Sequence, residues 1–296
     1  MKNKNTIGPS IHNVEPFFIS QFYQNSNKSI LYIGKDEREI SSMEQKIKWL
    51  LPDVEILLFK SWDQIPYDNV SPSKEIQIER LKTLKILSNS KAKRIILTTI
   101  NSITQKIIPR SIINSQFLKI SKKQKFKLED LINNLVLLGF QRTSLVRDKS
   151  EFSVRGSILD IFPNDRSKPI RIDFFDEEIE TIFEFDPITQ KRLKEINSDL
   201  EFNIVNELIL NEDNLNLFRK NFREIFPEYR NSQVYNLFSE NIIPSGGEQF
   251  LPLFYDNLET LFDYVKDYKI LLNDEFKNIF ENRLENINDF YLARKN

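Results

Sequence analysis

Three short apolar segments constrain the fold of the first third of the chain. KSILYIG (28–34), VEILLF (54–59) and KRIILTTI (93–100) are typical of buried strands. DEREISSMEQKIKWLL follows the first segment and KEIQIERLKTLKILSN precedes the third, both with apolar residues near helical spacing. Strands that alternate with helices at this spacing predict βαβ units and a parallel sheet. We therefore expect residues 1–114 to form the first part of an α/β domain.

The pattern changes after Pro109. FKLEDLINNLVLLGF predicts a helix that ends at Gly139, and short strand-like segments then follow one another to about residue 195. The apolar positions of this helix are Leu128, Leu131, Leu135 and Leu138. We expect residues 115–198 to form a small α+β domain inserted into the α/β domain.

The remaining residues, 199–296, return to an α/β and helical pattern. NELILN (206–211) and YKILLN (268–273) are predicted strands, with helices between them. The last predicted helix continues to the final residue without a cap. We therefore expect the chain to be a fragment of a longer protein.

Composition excludes several kinds of chemistry. The chain has 42 basic and 43 acidic side chains, a balance that argues against a dedicated nucleic-acid binder. It has no cysteine and one histidine, His12, so thiolate zinc sites, cysteine nucleophiles and a Ser-His-Asp triad are excluded. No catalytic residue and no metal ligand is predicted. The sequence has no apolar run of about 18 residues and no secretory leader, so we expect a cytoplasmic protein.

A nucleotide site is also absent from the sequence pattern. None of the six glycines supplies the GxxxxGK[ST] motif that cradles phosphate. The nearest candidate is Gly34-Lys35, where Asp36 stands in place of the hydroxyl that binds Mg²⁺. We therefore expect no ATP hydrolysis and no bound cofactor. Acidic groups on predicted turns are expected to be solvated, namely Asp63, Asp68, Asp176, Glu177 and Glu178.

PIRIDFF (169–175) carries an unusual strand pattern. Side chains alternate across a strand, so Ile170, Ile172 and Phe174 are predicted to point inward. Arg171, Asp173 and Phe175 then point outward, and Arg155 of FSVRG belongs to the same face if the strands are adjacent. Arginine and aromatic residues are typical of protein interfaces. The alternative is that Phe175 packs on a helix of its own domain and the arginines form surface ion pairs.

Several longer stretches carry a family resemblance. FSVRGSILDIFP, followed by PIRIDFFDEEIETIFEFDPITQ, resembles the small inserted domain shared by UvrB and the transcription-repair coupling factors (Mfd). SWDQIPYDNVSPSKEIQIERLKTL, GGEQFLPLFYDNLETLFDYV and the final INDFYLARK resemble the coupling factors in particular. UvrB has a phosphate-binding loop and a long aromatic hairpin, and neither is present in this chain. The resemblance covers nearly the whole chain.

The resemblance implies a UvrB-like arrangement of domains 1A, 2 and 1B, with a degenerate P-loop-NTPase-like parallel sheet. It implies a non-catalytic module that recruits UvrA in nucleotide excision repair and restrains the motor of its parent protein. The parent would be an ATP-dependent translocase on double-stranded DNA that releases stalled RNA polymerase, with ATP and Mg²⁺ bound only in the motor. By motif, the UvrA-binding residues are Arg155, Arg171 and Phe175, with Asp173 beside them.

One departure from the family and one alternative function remain. The family usually has a glycine before E-F-x-V-R-G, whereas this chain has Ser150, so the entry turn is expected to differ. The alternative function is a DNA-binding UvrB-like scaffold module. A lysine cluster supports it, although such a cluster is more often a solvated face, and its members are Lys122, Lys123, Lys125 and Lys127.

Overall fold

The computed structural model describes residues 14–273 and 275–295. His12 lies outside the described residues. The chain divides into two compact units. The parallel-sheet unit comprises residues up to 62, residues 90–105 and residues from 260 onward, and the antiparallel-sheet unit comprises residues 63–89 and 106–259. The predicted boundaries after residues 114 and 198 remain predictions.

The helices of the described chain are α1 (Glu15–Gln24), α2 (Glu37–Leu50), α3 (Lys74–Asn89), α4 (Ile100–Ile103), α5 (Arg110–Ser115), α6 (Leu128–Leu137), α7 (Glu212–Ile225), α8 (Gln233–Ser239), α9 (Leu261–Tyr264) and α10 (Phe276–Lys295). Short 3₁₀ helices lie at Tyr229–Asn231 and Gly247–Leu253. The strands are β1 (Ile30–Gly34), β2 (Ile56–Phe59), β3 (Ile95–Thr99), β4 (Phe117–Ile120), β5 (Gln141–Arg142), β6 (Glu151–Arg155), β7 (Ile158–Ile161), β8 (Ile170–Phe175), β9 (Glu178–Phe185), β10 (Arg192–Glu195), β11 (Leu200–Asn203) and β12 (Lys269–Leu272).

The first unit contains the predicted parallel sheet, in the order β12-β1-β3-β2. Strands β1 and β3 are buried along their whole length, which explains their continuous apolar sequences. Helix α2 begins at Asp36, whose side chain accepts the N–H of Glu39 at 2.8 Å. Its buried face packs on the sheet through Ile40, Met43 and Ile47.

The fourth strand of this sheet comes from the far end of the chain. In β12, Lys269 pairs in parallel with Ile30 of β1. The strand that completes the sheet therefore follows the antiparallel-sheet unit in the sequence. The sheet therefore depends on pairing between residues more than 200 positions apart, for which the loop-closure entropy is large.

One predicted strand is wrong. NELILN forms no strand, although Leu208 and Ile209 are buried as its apolar residues suggested. Its backbone groups bond to side chains instead of to a neighbouring strand. The N–H of Leu208 donates to Asn206 Oδ1 at 2.8 Å, and the N–H of Ile209 donates to the Tyr255 hydroxyl at 3.3 Å. A short apolar run therefore predicted burial correctly and the backbone conformation incorrectly.

The second unit is built around a six-stranded sheet in the order β10-β9-β8-β7-β6-β5, beside a two-stranded sheet of β4 and β11. All neighbours in the larger sheet are antiparallel except β5 and β6. Helix α6 buries Leu131 and Leu135 and is followed by Gly139 at φ +90°. Ser150, at the position where the family usually has a glycine, adopts φ +67°, a left-handed backbone that glycine accepts more easily.

Two of the family-like stretches hold each other within this unit. Ser71 donates its hydroxyl to Glu248 at 2.8 Å and accepts the N–H of Gly246 at 3.0 Å. Gly246 lies at φ +71°, and a Cβ added there would lie 2.9 Å from the carbonyl oxygen of Asp68. The loop before α3 and the turn before the second 3₁₀ helix are therefore in direct backbone contact. This contact requires a glycine.

The close approach at Gly246 predicts a large effect of a single methyl group. Gly246→Ala should lower the free energy of unfolding by about 2–4 kcal/mol, because it adds left-handed strain and a backbone clash. Gly156→Ala is the matched control, since Gly156 has φ +61° but nothing within 4 Å of its added Cβ. The control should cost only about 1–2 kcal/mol, as measured by urea unfolding. Equal losses would show that the contact with Asp68 does not matter.

The carboxyl of Glu248 predicts a pH dependence. Burial raises its pKa above the ordinary 4.5, while hydrogen bonds from Ser71 and Gln77 oppose that rise and the charge of Glu207 adds to it. The folded state therefore keeps this proton to higher pH than the unfolded chain, and the contribution to stability falls as pH rises above 4.5.

Glu248→Gln, which cannot titrate, should lose less stability than wild type between pH 5 and pH 7, measured by urea unfolding at both values. Glu129→Gln, on the exposed first turn of α6, is the control and should follow wild type. A Glu248→Gln profile parallel to wild type would contradict the expected effect of burial.

Candidate partner-binding surface

The candidate surface is one face of the six-stranded sheet. On β8 the side chains of Ile170, Ile172 and Phe174 are buried, with exposed fractions of 0%, 0% and 5%. The alternate side chains of Arg171, Asp173 and Phe175 therefore point to the opposite face, which we call the outer face. This is the alternation that the sequence predicted for β8.

A bulge changes the alternation of the neighbouring strand. Simple alternation along EEIETIFEF predicts one shared face for Ile179, Thr181, Phe183 and Phe185, but β9 is interrupted. Asp173 pairs with Thr181 whereas Phe174 pairs with Ile179, so one residue of β9 has no counterpart. Ile179 is thereby moved to the buried face, and Thr181 and Phe183 stay on the outer face.

Asp160 joins the two arginines of the predicted site. It lies on β7, opposite Arg171 in the strand register, and is 1% exposed. Arg155 Nη2 donates to Asp160 Oδ2 at 2.6 Å, and Arg171 Nε donates to Asp160 Oδ1 at 2.7 Å. The structure therefore brings Arg155 and Arg171 together through a carboxylate that sequence reasoning missed. An acid in the middle of the apolar strand ILDI was the clue to it.

Arg171 is less accessible than the sequence suggested. It is only 9% exposed, since its guanidinium lies 4.6 Å from the centre of the Phe185 ring. It also donates to the carbonyl of Gln190 at 3.2 Å. The hydrogen bond to Asp160 raises the pKa of Arg171. Arg171 thus lies on the outer face with its guanidinium fixed by its partners. Little of its surface is accessible to a second protein.

Phe175 is 74% exposed, in contrast to the buried rings around it. It pairs with Glu178 across a tight turn in which Asp176 has φ +57°. The alternative that Phe175 packs on a helix of its own domain is therefore wrong. An exposed phenylalanine forgoes roughly 1.5–3 kcal/mol of burial, which a partner protein could recover.

Asp173 and Arg192 complete the outer face. Arg192 Nη2 donates to Asp173 Oδ2 at 2.7 Å, and the Thr181 hydroxyl donates to the same oxygen at 2.9 Å. The other oxygen, Asp173 Oδ1, is buried and has no hydrogen-bond partner. The guanidinium of Arg192 lies 4.8 Å from the centre of the Phe183 ring. Sequence reasoning missed Arg192, because it lies on a strand with no apolar alternation to reveal its face.

The turn after β1 uses its own carboxylates. Lys35 donates its backbone N–H to Glu39 Oε2 at 2.7 Å, and Asp36 caps the first turn of α2. A Cβ on Gly34 would lie 2.9 Å from Ile40 Cγ2, so this glycine serves close packing of the helix on the strand. The N–H donors that a phosphate would need are thus partly occupied by acidic side chains.

The lysine cluster is interspersed with acids. Lys122 pairs with Glu195 at 2.5 Å. An open groove of about 520 Å³ contains Lys125 and Lys127 together with Asp130 and Glu177. This mixture is less favourable to a nucleic-acid backbone than a uniformly basic patch.

Among the described helices, none is both long and apolar enough to cross a membrane.

Part of the antiparallel-sheet unit matches a known domain family. Residues 118–201, which run from within β4 to within β11, match the family described as the UvrB interaction domain. The outer face, with Arg155, Arg171, Asp173 and Phe175, lies entirely within that match.

The whole chain resembles a part of larger proteins. It is 31% identical to the "Transcription-repair-coupling factor" of Rickettsia bellii over 94% of this chain and 25% of that protein. The factor of Haemophilus influenzae is 30% identical over 91% of this chain and 23% of its own length. That of Escherichia coli is 29% identical over 75% of this chain and 19% of its own length. The resemblance to the transcription-repair-coupling factors is confirmed, and the chain spans about a quarter of the relatives' length.

The Asp160 cluster predicts an asymmetric effect on stability. Asp160→Asn should lower the free energy of unfolding by about 3–5 kcal/mol, because buried Arg171 loses its counter-charge. Asp173→Asn is the matched control, since the side chain of its partner Arg192 is 48% exposed. The control should cost clearly less than Asp160→Asn, because the half-exposed Arg192 can be solvated when it loses its counter-charge. Similar losses in urea unfolding would show that Asp160 does not organise the outer face.

Proposed function

We propose that this chain is the UvrA-recruiting module of a transcription-repair coupling factor, and that UvrA binds the outer face. The observation that carries the proposal is Phe175, an exposed ring on a domain of the UvrB interaction family, beside arginines in fixed positions. Buried arginine and aromatic side chains are the residue types that dominate protein interfaces, at about 2 kcal/mol or more each.

The burial of each residue suggests its role. Arg155 and Phe175 have accessible side chains, 48% for the Arg155 side chain, so we assign them direct contact with UvrA. Arg171 is held by Asp160 and Phe185, so we assign it to fixing the position of the carboxylate that anchors Arg155. Asp173 likewise holds Arg192. Rigid placement reduces the entropy lost on binding, which favours affinity without a larger contact area.

We further propose that this chain has no ATPase activity and binds no cofactor. Its parallel sheet would be a degenerate P-loop-NTPase-like domain, because Asp36 and Glu39 occupy donors of the turn after β1. ATP and Mg²⁺ would bind only in a motor domain of the full-length protein. That protein would be a cytoplasmic translocase on double-stranded DNA that releases stalled RNA polymerase, and this module would help restrain it.

The test is a calorimetric titration of purified UvrA with the 296-residue chain. Wild type should bind, and Arg155→Ala and Phe175→Ala should each cost about 1.5 kcal/mol or more. Trp49→Ala is the matched control for an exposed aromatic ring, since Trp49 is 79% exposed and lies on α2 of the other unit. It should bind UvrA as wild type does, and all variants should keep the wild-type melting temperature.

Two outcomes would contradict the proposal. If wild type does not bind UvrA, or if Arg155→Ala and Phe175→Ala bind UvrA with the affinity of wild type and of Trp49→Ala, the outer face is not the recruitment surface. If the chain instead binds double-stranded DNA with an affinity that falls steeply with salt, the alternative of a DNA-binding UvrB-like scaffold is favoured.

A further inference from the structure

Arg192 is held on the outer face but is not closed off from solvent. Its side chain is 48% exposed, and its contacts are the single hydrogen bond to Asp173 and the stacking over Phe183. A guanidinium has five N–H donors in a planar fork, so most of the donors of Arg192 face no acceptor among the residues that the structure describes. The group is therefore fixed in position and still able to bind.

Arg155 has the same arrangement. Its side chain is also 48% exposed, and it is anchored by one hydrogen bond to a less exposed carboxylate, Asp160. Arg171 differs, because it is buried and its donors are used by Asp160 and Gln190. The outer face thus presents two open guanidinium groups, with a closed one between them.

The spacing of the two open groups suits a single patch on a partner. The β6 residue Arg155 pairs with Ile158, which in turn pairs with Asp173, the carboxylate that holds Arg192. Arg155 and Asp173 are therefore two strand spacings apart, roughly 10 Å between backbones. Three arginines outnumber two aspartates in this cluster, and the next acid on the same face, Glu178, lies opposite Phe175.

We propose that Arg192 is a second cationic contact of the outer face and binds a carboxylate of the partner protein, while Arg155 binds another. This inference rests on the proposed function of the outer face. Arginine suits this task because its planar fork matches the two oxygens of a carboxylate. Stacking on Phe183 keeps the fork oriented, so less side-chain entropy is lost when the partner binds.

The test compares the binding of UvrA by wild type and by Arg192→Met, which keeps the apolar stem and removes the charge. Affinity should fall at least about tenfold, the effect of losing a charged hydrogen bond. The slope of affinity against salt concentration should also decrease, a change that a purely structural role would not produce. Arg166→Met is the matched control, because Arg166 also forms an ion pair, with Glu184 at 2.8 Å. Glu184 pairs with Ile170 in the strand register, so this ion pair belongs to the face of the sheet opposite the outer face.

Each outcome decides the inference. Weaker binding with an unchanged melting temperature and a smaller salt slope supports it, provided that Arg166→Met binds as wild type does. If Arg192→Met binds like wild type while Arg155→Ala and Phe175→Ala do not, the inference is wrong and the proposed function stands. If wild type does not bind UvrA, both are wrong.

A second variant keeps the test decisive if Arg192→Met does not fold. Arg192→Lys retains the charge but cannot make the planar, stacked contact. Weaker binding by a folded Arg192→Lys supports the inference, and binding equal to wild type overturns it.

Discussion

The outer face depends on one buried carboxylate. Asp160 lies inside β7 with 1% of its surface exposed, where an unpaired charge would be strongly unfavourable. Two arginines from the adjacent strands satisfy it, at 2.6 and 2.7 Å. This pairing draws Arg171 down onto Phe185 and anchors Arg155 at the surface. The need to pair the buried Asp160 carboxylate thus makes Arg171 inaccessible and leaves Arg155 accessible to a partner protein.

Two of the most recognisable stretches of the sequence contact each other and stabilise the fold. The loop before α3 and the turn at Gly246 are in backbone contact through Ser71, Glu248 and Asp68. Ser150 also adopts a left-handed backbone, at φ +67°, and donates its hydroxyl to Asn164 at 2.6 Å.

In the parallel-sheet unit, the fold by itself does not imply a particular chemistry. Strand β1 ends at Gly34 and α2 begins at Glu37, so a helix N-terminus follows the strand, and helix N-termini are places where other proteins bind phosphate. In this chain Asp36 caps that helix and Glu39 accepts the N–H of Lys35. A bound phosphate would have to displace or repel these carboxylates. In the turn after β1, acidic side chains thus take up backbone N–H donors that a phosphate would need.

The sequence by itself determined most of the local elements, with NELILN as an exception, and the outward direction of Arg171, Asp173 and Phe175, because side-chain periodicity follows from backbone geometry. It also determined the family resemblance, through long motifs in a fixed order. Tertiary structure alone decided that Asp160 joins Arg155 to Arg171, that a bulge moves Ile179 to the buried face, and that Arg192 reaches Asp173. These facts depend on strand register and on side chains from different strands, which no local pattern encodes. For the same reason, sequence placed Arg171 on the correct face but could not show that its partners enclose it.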